Sequence, residues 1–155
     1  MKQIWIAIFL ASLGHSAMAD TLVGNWVCQT RPQPENYKLD VEFIFEQNQD
    51  YTLLTHGRGV LANGNTLEFS LRLLGTWRLD GKKILEENLA SSKFVRFNLN
   101  GKDARDSQLA ADMAAQLAQE IKDDSNPPMV LTRLKGDKMR IRDSSATLRC
   151  SRTNT

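Results

Sequence analysis

From Lys38 to Glu46 the chain alternates between apolar and polar positions. Leu39, Val41, Phe43 and Phe45 share one parity, Lys38, Asp40, Glu42 and Glu46 take the other, and Ile44 alone breaks the pattern. Period two predicts a β-strand that covers a core with one face and meets water with the other. Asn48-Gln49-Asp50 predicts a turn, and Tyr51–Leu54 begins the return strand. The two glycines of His56-Gly57-Arg58-Gly59 then predict a bulge or sharp bend. Beyond a turn at Asn63-Gly64-Asn65, the residues Leu67, Phe69, Leu71 and Leu73 form the inward set of the next strand. Gly75 interrupts that set, Trp77 and Leu79 continue its parity, and Asp80-Gly81 gives a hairpin signal. Two further strands are expected at Ile84–Leu89 and Lys93–Leu99.

After Gly101 the rhythm changes. Leu109, Met113, Leu117 and Ile121 recur every fourth residue, with alanines filling much of the remainder. This predicts a helix from about Asp106 to Ile121, capped by Asp103 or Asp106. Asp123-Asp124-Ser125-Asn126-Pro127-Pro128 ends it, because proline cannot continue a helix. Three short strands follow, near Met129–Leu134, Lys138–Arg142 and Ala146–Ser151. Their turns fall at Gly136-Asp137 and Asp143-Ser144-Ser145. The pattern as a whole predicts a mainly β domain: an antiparallel up-and-down barrel or half-barrel with one inserted α-helix. Closure would remove the unpaired strand edges that a sheet otherwise exposes.

The 155-residue chain divides in two. Lys2, the apolar run Ile4–Ala11 and the small-residue site Ala17-Met18-Ala19 have the tripartite pattern of a secretory signal peptide. Residues 1–19 are therefore expected to be a leader, and residues 20–155 one exported domain, periplasmic or secreted, starting at Asp20. The apolar run is too short to cross a bilayer as a helix, which takes about 20 residues, and no later segment is expected to span one. Without Lys2 the mature chain has one cation fewer than the 20 of the whole chain, against 18 acidic residues. Such a balance argues against a nucleic-acid binder, which relies on a large positive excess. Export places Cys28 and Cys150 where disulfides persist. No Cys-x-x-C pattern or nearby histidine favours redox or zinc chemistry, so the pair is expected to bridge the first strand to the last.

Three stretches resemble small bacterial lipocalin-like (calycin-type) proteins. Leu22-Val23-Gly24-Asn25-Trp26 resembles the Gly-x-Trp opening of that superfamily. Phe45-Glu46-Gln47-Asn48-Gln49-Asp50-Tyr51 is similar to a phenylalanine–turn–tyrosine hairpin of its small bacterial members. Gly75-Thr76-Trp77-Arg78-Leu79-Asp80-Gly81 resembles their central glycine–tryptophan strand and turn. The resemblance implies a β-barrel that binds small apolar molecules. It also implies an arginine near the end of the last strand packed on the first tryptophan, with Arg149 and Arg152 as candidates.

Catalytic machinery is not visible in the sequence. His56 is the single histidine of the mature chain, and its setting between a strand and two glycines suggests a structural position rather than a base. The carboxylates are expected to point outward or to lie in turns. Asp123-Asp124 with Ser125-Asn126 lacks the ligand ladder of a calcium loop. The chain is accordingly expected to be non-enzymatic and to need no cofactor or metal. Two binding roles remain. In the first, Trp26, Phe43, Phe45, Phe69 and Trp77, on the inward faces with Phe97, wall a pocket for a small apolar or amphipathic ligand, with the helix as a lid. The simpler alternative for these rings is a filled core. In the second, the chain is a protein-interaction module: an inhibitor, immunity or envelope-assembly factor. It would offer the helix or its basic C-terminal strands, above all Arg140 and Arg142, to an acidic protein. There the simpler alternative is a solvated strand face.

Overall fold

The computed structural model describes residues 17–31, 37–89, 93–122, 127–143 and 146–154. A short helix, α1 (Ala17–Leu22), leads into β1 (Gly24–Arg31), β2 (Tyr37–Phe45), β3 (Asp50–Val60) and the long β4 (Thr66–Asp80). Then come β5 (Lys83–Glu87), β6 (Lys93–Leu99), the two-residue β7 (Lys102–Asp103) and helix α2 (Gln108–Lys122). β8 (Met129–Lys135), β9 (Lys138–Arg142) and β10 (Thr147–Arg152) complete the chain. The strands β1-β2-β3-β4-β5-β8-β9-β10 close on themselves through the β1–β10 pair, making an eight-stranded antiparallel barrel.

β4 is shared. From Thr66 to Thr76 it pairs with β3. Its second half, Thr76–Asp80, pairs with β5 inside the barrel wall. Its first half, Leu67–Arg72, pairs instead with β6, which goes on to β7 and α2 as a flange beside the barrel.

The alternation read from the sequence decides which side chains turn inward. Val41, Phe43 and Phe45 of β2 are buried, and so are Leu67, Leu71, Leu73 and Trp77 of β4. The main core joins these β2 side chains to Trp26, Tyr51, Trp77, Ile84, Leu131, Ile141 and Leu148. Phe45 sits at its centre, 5.1 Å edge-on from Trp77 and 5.4 Å from Tyr51. Such ring pairs add about 0.5–1.5 kcal/mol each to the burial of the surfaces themselves. Leu22 is fully buried in the same core, and the indole Nε1 of Trp26 donates to its carbonyl. Cys28 and Cys150 face each other across the β1–β10 ladder and are bonded.

The turns follow residue chemistry. Asn48 Oδ1 accepts from the Asp50 amide, and Gln49 takes the left-handed conformation between them (φ 72°). Gly81 provides the same conformation for the β4–β5 hairpin (φ 59°).

Three sequence expectations need correction. No bend occurs at Gly57 and Gly59, because β3 keeps an unbroken register with both β2 and β4. Gly57 has a packing reason instead: a Cβ there would lie 2.2 Å from Cε1 of its cross-strand partner Phe69. The cap of α2 is neither Asp103 nor Asp106. Ser107 Oγ accepts from the Ala110 amide, while Asp103 is paired with Arg105 at 2.6 Å. Leu109 is exposed, and the helix buries Ala110 against Leu67 and Phe97, with Met113 partly buried beside them. Small Ala110 allows close approach to β6, and that approach sets the buried face. The expected solvated turn at Asp123–Asn126 lies outside the described residues.

Candidate functional site

Where β6 leaves the barrel, the inner face of the first half of β4 lacks a fully packed partner. Leu67, Phe69, Leu71 and Leu73 of β4 line a hollow there of about 620 Å³. Leu39 of β2 and Thr55 and Gly59 of β3 form one side, and Met113, Gln116 and Leu117 of α2 form the other. Apart from Thr55 the deeper wall is apolar. The polar groups are Arg58 on β3 and Gln116 on α2. Across the strand from Arg58 stands Glu68, but that carboxylate is held by Arg96 at 3.1 Å.

A polar pair lies further along the inward-facing side of the wall, with Tyr51 buried and Glu86 exposed at the opening. Glu86 of β5 is opposite Trp77 and two residues beyond the buried Ile84, so it shares their inward parity. The hydroxyl of the fully buried Tyr51 donates to Glu86 Oε1. Burial raises the Glu86 carboxyl above its ordinary range, and the bond from Tyr51 partly offsets this. Tyr51 is itself raised well above its ordinary value, first by burial and then by the adjacent carboxylate. β5 pairs with β8 only at Lys83 and Ile84, so the wall beside Glu86 is open and part of the side chain meets solvent. Glu86 thus corrects the expectation that every carboxylate points outward or lies in a turn. The signal was its even spacing from Ile84.

Of the five aromatic residues expected to bind ligand, Phe69 alone borders the hollow. Trp26, Phe43, Phe45 and Trp77 pack in the main core instead. Leu39, Leu67, Leu71, Leu73, Met113 and Leu117 supply the apolar wall without carrying an aromatic signal.

Arg152, not Arg149, packs on Trp26, with its guanidinium carbon 4.3 Å from the ring centroid. It also donates to the carbonyls of Val23 and Thr21. His56 lies exposed on β3 with Nδ1 2.8 Å from Ser70 Oγ. Arg140 and Arg142 both project from the outer face of β9. Among the described residues no group of three or more His, Cys, Asp or Glu could hold a metal ion, and no helix is long and apolar enough to cross a membrane.

Fold and hollow together define a closed eight-stranded antiparallel barrel with a helix against its opened flank, an architecture compatible with the lipocalin-like, or calycin, fold. Comparison of the chain with protein-family models and with curated proteins gives no match.

Proposed function

We propose that the protein is a non-enzymatic binder of a small amphipathic molecule with an apolar chain and an anionic head, such as a fatty acid. The hollow between β4 and α2 carries this reading. Its volume of about 620 Å³ falls within the roughly 300–1,000 Å³ of small-molecule sites. Its wall is mostly aliphatic, with Phe69 the aromatic member, and gives an alkyl chain contact without fixing its orientation. Arg58, at the border with its cross-strand carboxylate engaged elsewhere, supplies a cation for the head. Binding takes place in the periplasm or outside the cell, after cleavage between Ala19 and Asp20. The mature N-terminus of the exported protein should therefore read Asp20-Thr21-Leu22.

Native mass spectrometry of protein taken from its own compartment should show a bound lipid-sized mass. A fluorescent fatty acid should bind one per chain. Leu117→Trp, which fills the hollow from a half-buried helix position, should abolish that binding. Arg58→Gln should weaken binding of the acid but not of the corresponding alcohol. A blank titration together with a ligand-free native spectrum would sink the proposal.

A further inference from the structure

On the outer wall, away from the hollow, three arginines stand in one row across adjacent strands. Arg149 of β10 is directly opposite Arg140 of β9, and Arg140 is directly opposite Arg133 of β8. Neighbouring strands lie about 4.8 Å apart, so the row spans about 10 Å. Like charges placed directly opposite one another destabilise a sheet, yet the fold is arranged to bring them together. By simple alternation from the buried Met129 and Leu131, Arg133 would point into the barrel. The register shifts between Leu131 and Arg133, and Thr132 is the extra residue. Its hydroxyl donates to the Arg140 carbonyl at 3.1 Å. The bulge turns Arg133 outward into line with Arg140, as bulges beside functional sites re-aim side chains.

The raised side chains border an open groove of about 580 Å³, lined also by the exposed Val27, Gln29 and Lys138 and by no carboxylate. Lys138 is fixed at its edge by a 2.9 Å bond to Ser151 Oγ. Arg142 lies on the same strand face but outside this groove.

We propose that this groove is a binding site for a compact, multiply charged phosphate group. Three observations favour phosphate over an extended acidic chain. The cations that define the row are all arginines, whose planar forks match phosphate oxygens two at a time. The row is short. It also runs across the strands in a groove on the barrel wall rather than along an open edge. An anion seated over the three guanidiniums would replace their mutual repulsion with attraction. This site is independent of the hollow between β4 and α2.

The test uses the purified mature protein. Inorganic tripolyphosphate, titrated calorimetrically, should bind one per chain and weaken at least tenfold between 50 and 200 mM salt, about the steepness expected of several ionic contacts. Arg133→Gln, Arg140→Gln and Arg149→Gln should each weaken it about tenfold or more, since each removes a charged bond. Arg72→Gln, elsewhere on the exterior, should leave it unchanged. Without ligand, Arg140→Gln should melt higher than wild type, which shows that the variant is folded and that repulsion has been relieved. Sedimentation with vesicles containing phosphatidic acid but not with phosphatidylcholine vesicles, lost in the same variants, would assign the phosphate to a lipid headgroup. Tripolyphosphate binding without vesicle binding would assign it to a soluble molecule. The proposal is overturned if tripolyphosphate does not bind, if Arg140→Gln binds it as wild type does, or if polyglutamate binds at least as tightly.

Discussion

Replacing Arg152 by methionine keeps an apolar stem over Trp26 and removes everything the charge does. Three contributions are lost. The guanidinium over the indole, 4.3 Å from the ring centroid, contributes about 1 kcal/mol in a partly desolvated setting. The bonds to the carbonyls of Val23 and Thr21 are made by a charged donor, worth about 1.5 kcal/mol each at the low end. The contact with Asp137 at 3.7 Å adds little, since that carboxylate is 73% exposed. The Arg152 side chain itself is only 23% exposed, but the bond to the Thr21 carbonyl meets solvent and counts for less, about 0.5–1 kcal/mol. The sum is roughly 3 kcal/mol, a large share of the 5–15 kcal/mol that holds a domain together. Arg152→Lys should recover less than half of it, because an ammonium lacks the fork that reaches two carbonyls while stacking on a ring. Urea unfolding followed by tryptophan fluorescence measures both variants, with an unchanged slope as the check on two-state behaviour. A loss below about 1 kcal/mol for Arg152→Met, or full recovery by lysine, would refute the idea that this residue fastens the α1–β1 junction to the last strand.

Removing the bridge with Cys28→Ala and Cys150→Ala frees a loop with a sequence separation of 122. The chain-entropy model then gives a loss of up to about 5 kcal/mol, read as a lower denaturant midpoint, and a loss under about 1 kcal/mol would contradict it. Gly57→Ala would place a methyl 2.2 Å from the Phe69 ring. It should cost about 1–3 kcal/mol, and Phe69→Leu in the same chain should relieve most of that cost. Glu86 has a raised pKa in the fold, so the folded protein binds more protons than the unfolded chain across that window. Stability should fall as pH rises from the ordinary carboxylate value through the raised one, and stay flat below both. Glu86→Gln should remove this slope; with part of the side chain in solvent, the effect should stay below about 1 kcal/mol. An unchanged pH profile of melting temperature would refute the assignment.

Much of the architecture could be read from period two alone. An alternating strand has one way to hide Leu39, Val41, Phe43 and Phe45 together, and a register slip would turn all four into water. The position of Trp77 follows from the same rule, whereas the pairing of Cys28 with Cys150 follows from their being two cysteines in a segment expected to be exported. The rule fails where side-chain direction depends on a partner strand. Thr132 becomes a bulge because β9 meets β8 in two registers, and nothing in Leu131-Thr132-Arg133-Leu134 marks it. The arginine row was therefore hidden: the sequence offered Arg142, beside Arg140 on β9, as the second candidate, and not Arg133 on β8. The helix misled in a different way. Its large side chains mark a stripe through Leu109, but contact with Phe97 is governed by closeness of approach, which the small Ala110 permits.

The hollow itself arises from a choice that no local pattern records. β4 takes β5 as its neighbour over one half and β6 over the other. Leu67, Phe69, Leu71 and Leu73 have the same alternation as the fully packed β2, and by that alternation alone they read as filled core. They border a cavity because β6 turns away with α2 instead of joining β8. The side chains that α2 sets against them, Met113, Gln116 and Leu117, leave space between helix and strand. An aromatic tally could not have found this site, since the largest rings belong where packing is complete and the hollow lies where one strand changes partners.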